Sequence, residues 1–186
     1  MTLTTQQLLL HNEELRSENG ELRQRVSQLE KMLAVFDRHP TLAQGIRGET
    51  IIARAINGAL TSHNASCDVI VPSTNLRVEV KYSGLNDAIR GRITKKTYRW
   101  AWANPFGENG NKVFDRLLLV GEADTRNRDK YRDPTSPYVF FDVPFGDIMP
   151  LTITTNNGRF RSIQLTTNPL TARSAASPLF TMYHDS

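Results

Sequence analysis

Cys67-Asp68-Val69-Ile70-Val71-Pro72-Ser73-Thr74-Asn75-Leu76-Arg77-Val78-Glu79-Val80-Lys81-Tyr82 is the stretch that decides the fold. It opens with a β-branched run closed by a proline. Ser73-Thr74-Asn75 then has the composition of a turn. Leu76–Tyr82 alternates, with Val78, Val80 and Tyr82 on one side and Arg77, Glu79 and Lys81 on the other, the period of a strand. Two such runs joined by a short polar turn predict an antiparallel hairpin.

Upstream, residues 45–60 carry helical spacing, with Ile52, Ala55, Ile56 and Ala59 as one stripe. Glu49 falls at the N-terminal end of that stripe, where an acid either complements the helix dipole or belongs to a site. Downstream, strands are expected at 95–102, 115–121 and 138–143. Tyr98, Trp100 and Trp102 alternate and read as core in preference to a base-stacking platform. Leu117-Leu118-Leu119-Val120 has the continuous apolar character of a strand covered on both faces. Residues 122–137 read as a loop, and 151–155 with 159–165 as a hairpin about Asn156-Asn157-Gly158. From Thr166 the chain is rich in Ser, Thr, Ala and Pro and reads as a partly packed tail. The expected organisation is therefore a helix over 3–37, a domain over 41–165 and a tail over 166–186.

The first segment has its own period. Leu8, Leu15, Leu22, Leu29 and Phe36 recur every seven residues at heptad position d, with Thr5, Asn12, Asn19, Val26 and Leu33 at a. Seam asparagines fix register and favour a parallel dimer. Glu18 with Arg23, and Arg25 with Glu30, can pair across such a dimer. A coiled-coil homodimer is expected, ended at His39-Pro40, because the residue before proline avoids the helical region.

An apolar fraction of 39% and a charged fraction of 23% over 186 residues exclude wholesale disorder. The single Cys67 excludes an intrachain disulfide framework, and the scattered His11, His39, His63 and His184 lack zinc-ligand spacing. No apolar run has the length of a membrane span and no secretory leader is evident, so a soluble cytoplasmic protein is expected. Residues 1–37 hold four basic side chains against six acidic ones. The overall net charge of +4 therefore leaves +6 on the remainder, compatible with a polyanionic partner.

The chemistry lies on the hairpin. Glu79 and Lys81 project from one face of their strand, and Asp68 on the neighbouring strand can approach it. Two carboxylates supply hard oxygen ligands for Mg2+, and a lysine beside them can orient water and stabilise charge building on a phosphodiester. The alternative for Glu79 and Lys81 is a surface ion pair. Arg90, Arg92, Lys95, Lys96 and Arg99 form a basic cluster that reads either as phosphate contacts or as a solvated face. Gly107-Glu108-Asn109-Gly110 reads as a turn, and Cys67 as a small core residue.

Helix acid, hairpin acid, then Glu-x-Lys resembles the PD-(D/E)XK nuclease superfamily over roughly residues 45–143. One departure is Cys67 where the family motif has proline. The resemblance implies an α/β class, in detail an α+β arrangement with a mixed sheet: a restriction-endonuclease-like core preceded by the coiled-coil helix. It implies that Asp68 and Glu79 are metal ligands with the Val80 carbonyl, that Lys81 is the catalytic lysine, and that Glu49 is the helix acid. The expected function is a homodimeric, Mg2+-dependent endonuclease acting on double-stranded DNA, of type II restriction kind. A junction-resolving or repair nuclease is the alternative within the class. A non-catalytic DNA-binding or coiled-coil adaptor is the alternative outside it.

Overall fold

The computed structural model describes residues 5–38, 40–62, 65–87, 98–107, 110–155, 160–171 and 175–180. The chain divides into two compact units, Met1–Ala43 and Gln44–Ser186.

The first unit is dominated by α1, Thr5–Arg38, 34 residues long. At ~1.5 Å per residue it spans about 50 Å. Leu15, Leu22, Val26 and Leu29 are all exposed along it, so this part of the heptad stripe is uncovered among the described residues. Asn19 Nδ2 donates to the Leu15 carbonyl of its own helix at 3.0 Å.

Helix α2, Pro40–Ala55, begins with proline at its first position, where a missing N–H costs nothing. It stops short of the expected residue 60. Asn57 takes a left-handed φ of 51°, and the Gly58 N–H donates back to the Ala53 carbonyl at 2.8 Å, the pattern of a Schellman cap. A Cβ on Gly58 would lie 2.4 Å from Val69 Cγ1, so only glycine lets the chain turn against the sheet here. The apolar stripe is corrected accordingly. Ile52 and Ala53 are buried, whereas Ala55 and Ala59 are exposed.

Two sheets complete the second unit. The first contains β1 (Ala59–Leu60), β2 (Val69–Val71), β3 (Leu76–Ser83), β6 (Arg116–Glu122) and β7 (Tyr138–Pro144), in the order β1-β2-β3-β6-β7. It is mixed: β3 and β6 run parallel, and the other pairs are antiparallel. The second contains β4 (Asn86–Asp87), β5 (Tyr98–Ala103), β8 (Ile153–Thr155) and β9 (Phe160–Thr166), antiparallel in the order β4-β5-β9-β8. The short helix α3, Ile148–Leu151, precedes β8. The expected hairpin of β8 and β9 is present, and its turn lies outside the described residues.

The β2–β3 hairpin forms as its alternation predicts, turning through Asn75 at φ 55°. Val78 and Val80 pack with Val69, Val120, Ile52 and Ala53 on the α2 side of the first sheet. On the other side, Leu117, Leu119, Phe141 and Val143 meet Trp100, Trp102, Ile163 and Leu165 of the second sheet. Strand β6 is thus covered on both faces. Leu179 and Phe180 join the same core, so the tail expected from Thr166 contributes to it directly. No helix among the described residues is long and apolar enough to cross a membrane.

Candidate active site

Asp68 is aimed by an irregularity in the hairpin. Val69 pairs with Val78, and the Asp68 N–H also donates to the Val78 carbonyl at 3.0 Å. Two consecutive residues face one, the arrangement of a β-bulge, which re-aims side chains. Asp68 Oδ2 then accepts the Val80 N–H at 2.9 Å, completing with its side chain what the β2 backbone leaves open. Its other oxygen, Oδ1, is turned toward Glu79.

Glu79 forms the floor of the site. Strand alternation places it opposite Leu117 of β6, on the side facing the second sheet, where it is completely buried. Burial of a carboxylate is tolerated only with charge partners. It has two: Lys81 Nζ lies 2.7 Å from Glu79 Oε1, and Lys112 Nζ lies 2.8 and 2.7 Å from Oε1 and Oε2. Lys112 Nζ also reaches Asp68 Oδ1 at 2.8 Å. A single ammonium therefore bridges both carboxylates, while Lys81 holds Glu79 from its own strand.

These contacts set the protonation balance. Burial pushes the Glu79 carboxyl above the usual range, against the pull of the Lys81 charge. For Lys112, burial favours the neutral amine, but the hydrogen bonds to Asp68 and Glu79 outweigh it, and its pKa ends above the ordinary lysine value. Glu49 is half-buried and its pKa is raised by burial first and the Asp68 charge second. It thus stands within the electrostatic reach of the site.

The structure brings together Asp68, Glu79 and Lys81, and sets Glu49 in their field. Val80 lies between the two charged residues with its side chain buried on the α2 side. Arg90, Arg92, Lys95 and Lys96 fall outside the described residues. Arg99 lies on β5, half-buried, with Nη1 donating to Gln164 Oε1 at 3.1 Å. Lys112 is the member that the sequence reading passed over. It belongs to the β5–β6 connection, which doubles back through Gly107 and Gly110, both at positive φ. The Lys112 N–H bonds the Phe106 carbonyl at 3.2 Å, and its stem crosses Gly107 so closely that a Cβ there would meet Lys112 Cγ at 2.8 Å. The one available signal was a lysine just beyond a Gly-x-x-Gly turn.

Chemically, the arrangement offers converging carboxylate oxygens that already ligate one cation, the Lys112 ammonium. That donor set fits a hard divalent ion that keeps several water ligands. Among the described residues no group of three or more His, Cys, Asp or Glu side chains is placed to hold a metal ion. No protein-family model matches the chain, and no curated protein matches it either.

Proposed function

We propose that this protein is a Mg2+-dependent endonuclease that hydrolyses phosphodiester bonds in double-stranded DNA. It is a restriction-type enzyme with a restriction-endonuclease-like core, working in the cytoplasm as a homodimer through α1. The observation that carries this reading is the meeting of fully buried Glu79 with Asp68 and Lys81 on a bulged hairpin. Such a costly cluster has an evident use where a cation and a polyanion are handled together. When bound, Mg2+ would supply positive charge beside the scissile phosphate and acidify water.

The chain's own groups do the rest. Asp68, fixed by the Val80 N–H, and Glu79, fixed by the sheet, present the oxygen ligands, with the Val80 carbonyl as the backbone contributor. Lys81 is held at 2.7 Å from Glu79. There it donates hydrogen bonds that orient water and stabilise charge on the phosphate. Glu49 adds negative charge at the rim. Arg90, Arg92, Lys95, Lys96 and Arg99 carry the phosphate contacts that position DNA. A two-fold dimer presents two such sites to two antiparallel strands, which gives the exposed stripe of α1 its purpose.

One observation favours a second reading. Asp68 and Glu79 are matched in number by Lys81 and Lys112, as a purely structural ion cluster in a non-catalytic DNA-binding protein would be. Incubating the full-length protein with plasmid and Mg2+ separates the two. Discrete fragments support the restriction reading, and cutting confined to branched DNA moves it to a junction-resolving enzyme. Binding without any cutting by folded protein leaves the structural cluster.

A further inference from the structure

Lys112 sits where the two carboxylates converge, and this has a consequence for how the site loads. We infer that the Lys112 ammonium is a resident cation that holds Asp68 and Glu79 in place in the metal-free protein and is displaced when a divalent ion binds. The inference rests on the reading of Asp68 and Glu79 as the metal pair.

Three observations carry it. First, Lys112 Nζ has three contacts of 2.7–2.8 Å, to Asp68 Oδ1 and both oxygens of Glu79. An ammonium has three N–H donors, and all three are engaged on the oxygens a metal would need. Second, the cluster is already supplied with cations without metal: Asp68 and Glu79 face two ammonium groups, with Glu49 in their field. A divalent cation that entered with no departure would leave the cluster with surplus positive charge around completely buried Glu79. One ammonium has to withdraw. Third, the two lysines are not equivalent. Lys81 stands on β3 in register with Leu119 of β6 and, among the described residues, pairs with Glu79 and not with Asp68. Lys112 stands on a connection outside either sheet and bridges both acids; the two side chains are about equally exposed, so it is the seat on a connection, not on a paired strand, that leaves the Lys112 stem free to swing to solvent. Lys112 is the group that leaves.

The device lets a protein keep two acids together, one of them fully buried, before metal arrives. It also makes metal affinity a competition. Removing the competitor should tighten metal binding, the opposite of what loss of a supporting residue would do.

The test uses full-length protein and Mn2+, followed by isothermal titration and by the electron paramagnetic resonance of free Mn2+. Lys112→Met keeps the stem and removes the charge, and should bind Mn2+ about tenfold or more tightly than wild type. Asp68→Asn should abolish binding in both backgrounds. In case Lys112→Met does not fold, wild type supplies an independent readout. Lys112 pinned to three oxygens resists acylation, so Mn2+ or Ca2+ should raise its labelling by an amine-reactive ester several-fold, scored by peptide mass spectrometry with Lys81 as internal reference. If wild type binds Mn2+ through Asp68 but Lys112→Met binds no tighter, or Lys112 labelling is indifferent to metal, displacement is overturned while the metal site stands. Should neither wild type nor Lys112→Met bind Mn2+ through Asp68, the metal-site reading falls, and the inference with it.

Discussion

Replacing Lys112 tests the seating of the site without reference to any reaction. At 2.7 Å from Glu79, its ammonium gains about 6 kcal/mol of attraction at an effective dielectric of ~20. Most of that offsets the desolvation of a carboxylate with no exposed surface. Loss of one partner from a fully buried pair costs ~3–5 kcal/mol. Here Lys81 remains at 2.7 Å and Lys112 itself is a quarter exposed, so water can follow the missing charge. We therefore expect Lys112→Met to destabilise the metal-free protein by about 1–3 kcal/mol. In Lys112→Met the buried charge loses a partner, whereas in Glu79→Gln no buried charge remains on β3, Lys81 is released toward solvent and Lys112 keeps Asp68. The double variant should thus recover part of the loss, with a coupling energy of at least ~1 kcal/mol. Urea denaturation in EDTA, followed by tryptophan fluorescence from buried Trp100 and Trp102, supplies all four corners of the cycle. A coupling below ~0.5 kcal/mol would refute the bridging geometry, because contacts this short between opposite charges do not behave independently.

Three other outcomes are expected. Gly107→Ala combines a φ of 81° with a Cβ placed 2.8 Å from Lys112 Cγ, so urea denaturation should show a loss of ~1–3 kcal/mol. A variant as stable as wild type would mean that the β5–β6 connection is misplaced. Removing residues 1–37, and with them exposed Leu15, Leu22, Val26 and Leu29, should turn a sedimenting dimer into a monomer at micromolar concentration; a full-length monomer would refute the coiled coil. Asp124 is buried, and hydrogen bonds from Arg126 and Thr167 overcome burial to hold its pKa at about 2, below its ordinary 3.8. A depressed carboxylate contributes stability above its unfolded pKa and loses it as pH falls through the folded one. Asp124→Asn should therefore flatten the acid-induced loss between about pH 4 and pH 2, a difference of ~1–2 kcal/mol once solvent around half-exposed Arg126 is allowed for. An unchanged acid profile would contradict that assignment.

What was legible in the sequence was whatever repeats locally. The hairpin from Val69 to Ser83, its turn at Asn75, and the shared face of Glu79 and Lys81 follow from a period of two. Trp100 and Trp102 went to the core because alternate positions of one strand share a face. The end of α2 was not legible, since apolar spacing continues to Ala59 while the cap depends on Asn57 adopting positive φ and Gly58 meeting Val69. The division of the strands into two sheets escaped for a similar reason: pairing of β5 with β9 joins residues some sixty positions apart. Lys112 lies 33 positions beyond Glu79. It reaches that carboxylate because β6 runs parallel to β3 and the preceding connection folds back over Gly107, which no linear spacing encodes. Leu179 and Phe180 sit in a Ser/Thr/Ala/Pro-rich segment whose average composition conceals two core side chains.

Lys81, beside the Asp68–Glu79 pair, is proposed to act in phosphodiester hydrolysis. The most direct measurement of that role is the single-turnover rate of cleavage of supercoiled plasmid in Mg2+, for wild type and for Lys81→Met shown by circular dichroism to be folded. Wild type should cut, and Lys81→Met should still bind DNA but cut at least ~10²-fold more slowly, as expected for loss of a group that orients water and stabilises transition-state charge. Equal cutting by the two proteins, or no Mg2+-dependent cutting of any DNA by folded wild type, would contradict it.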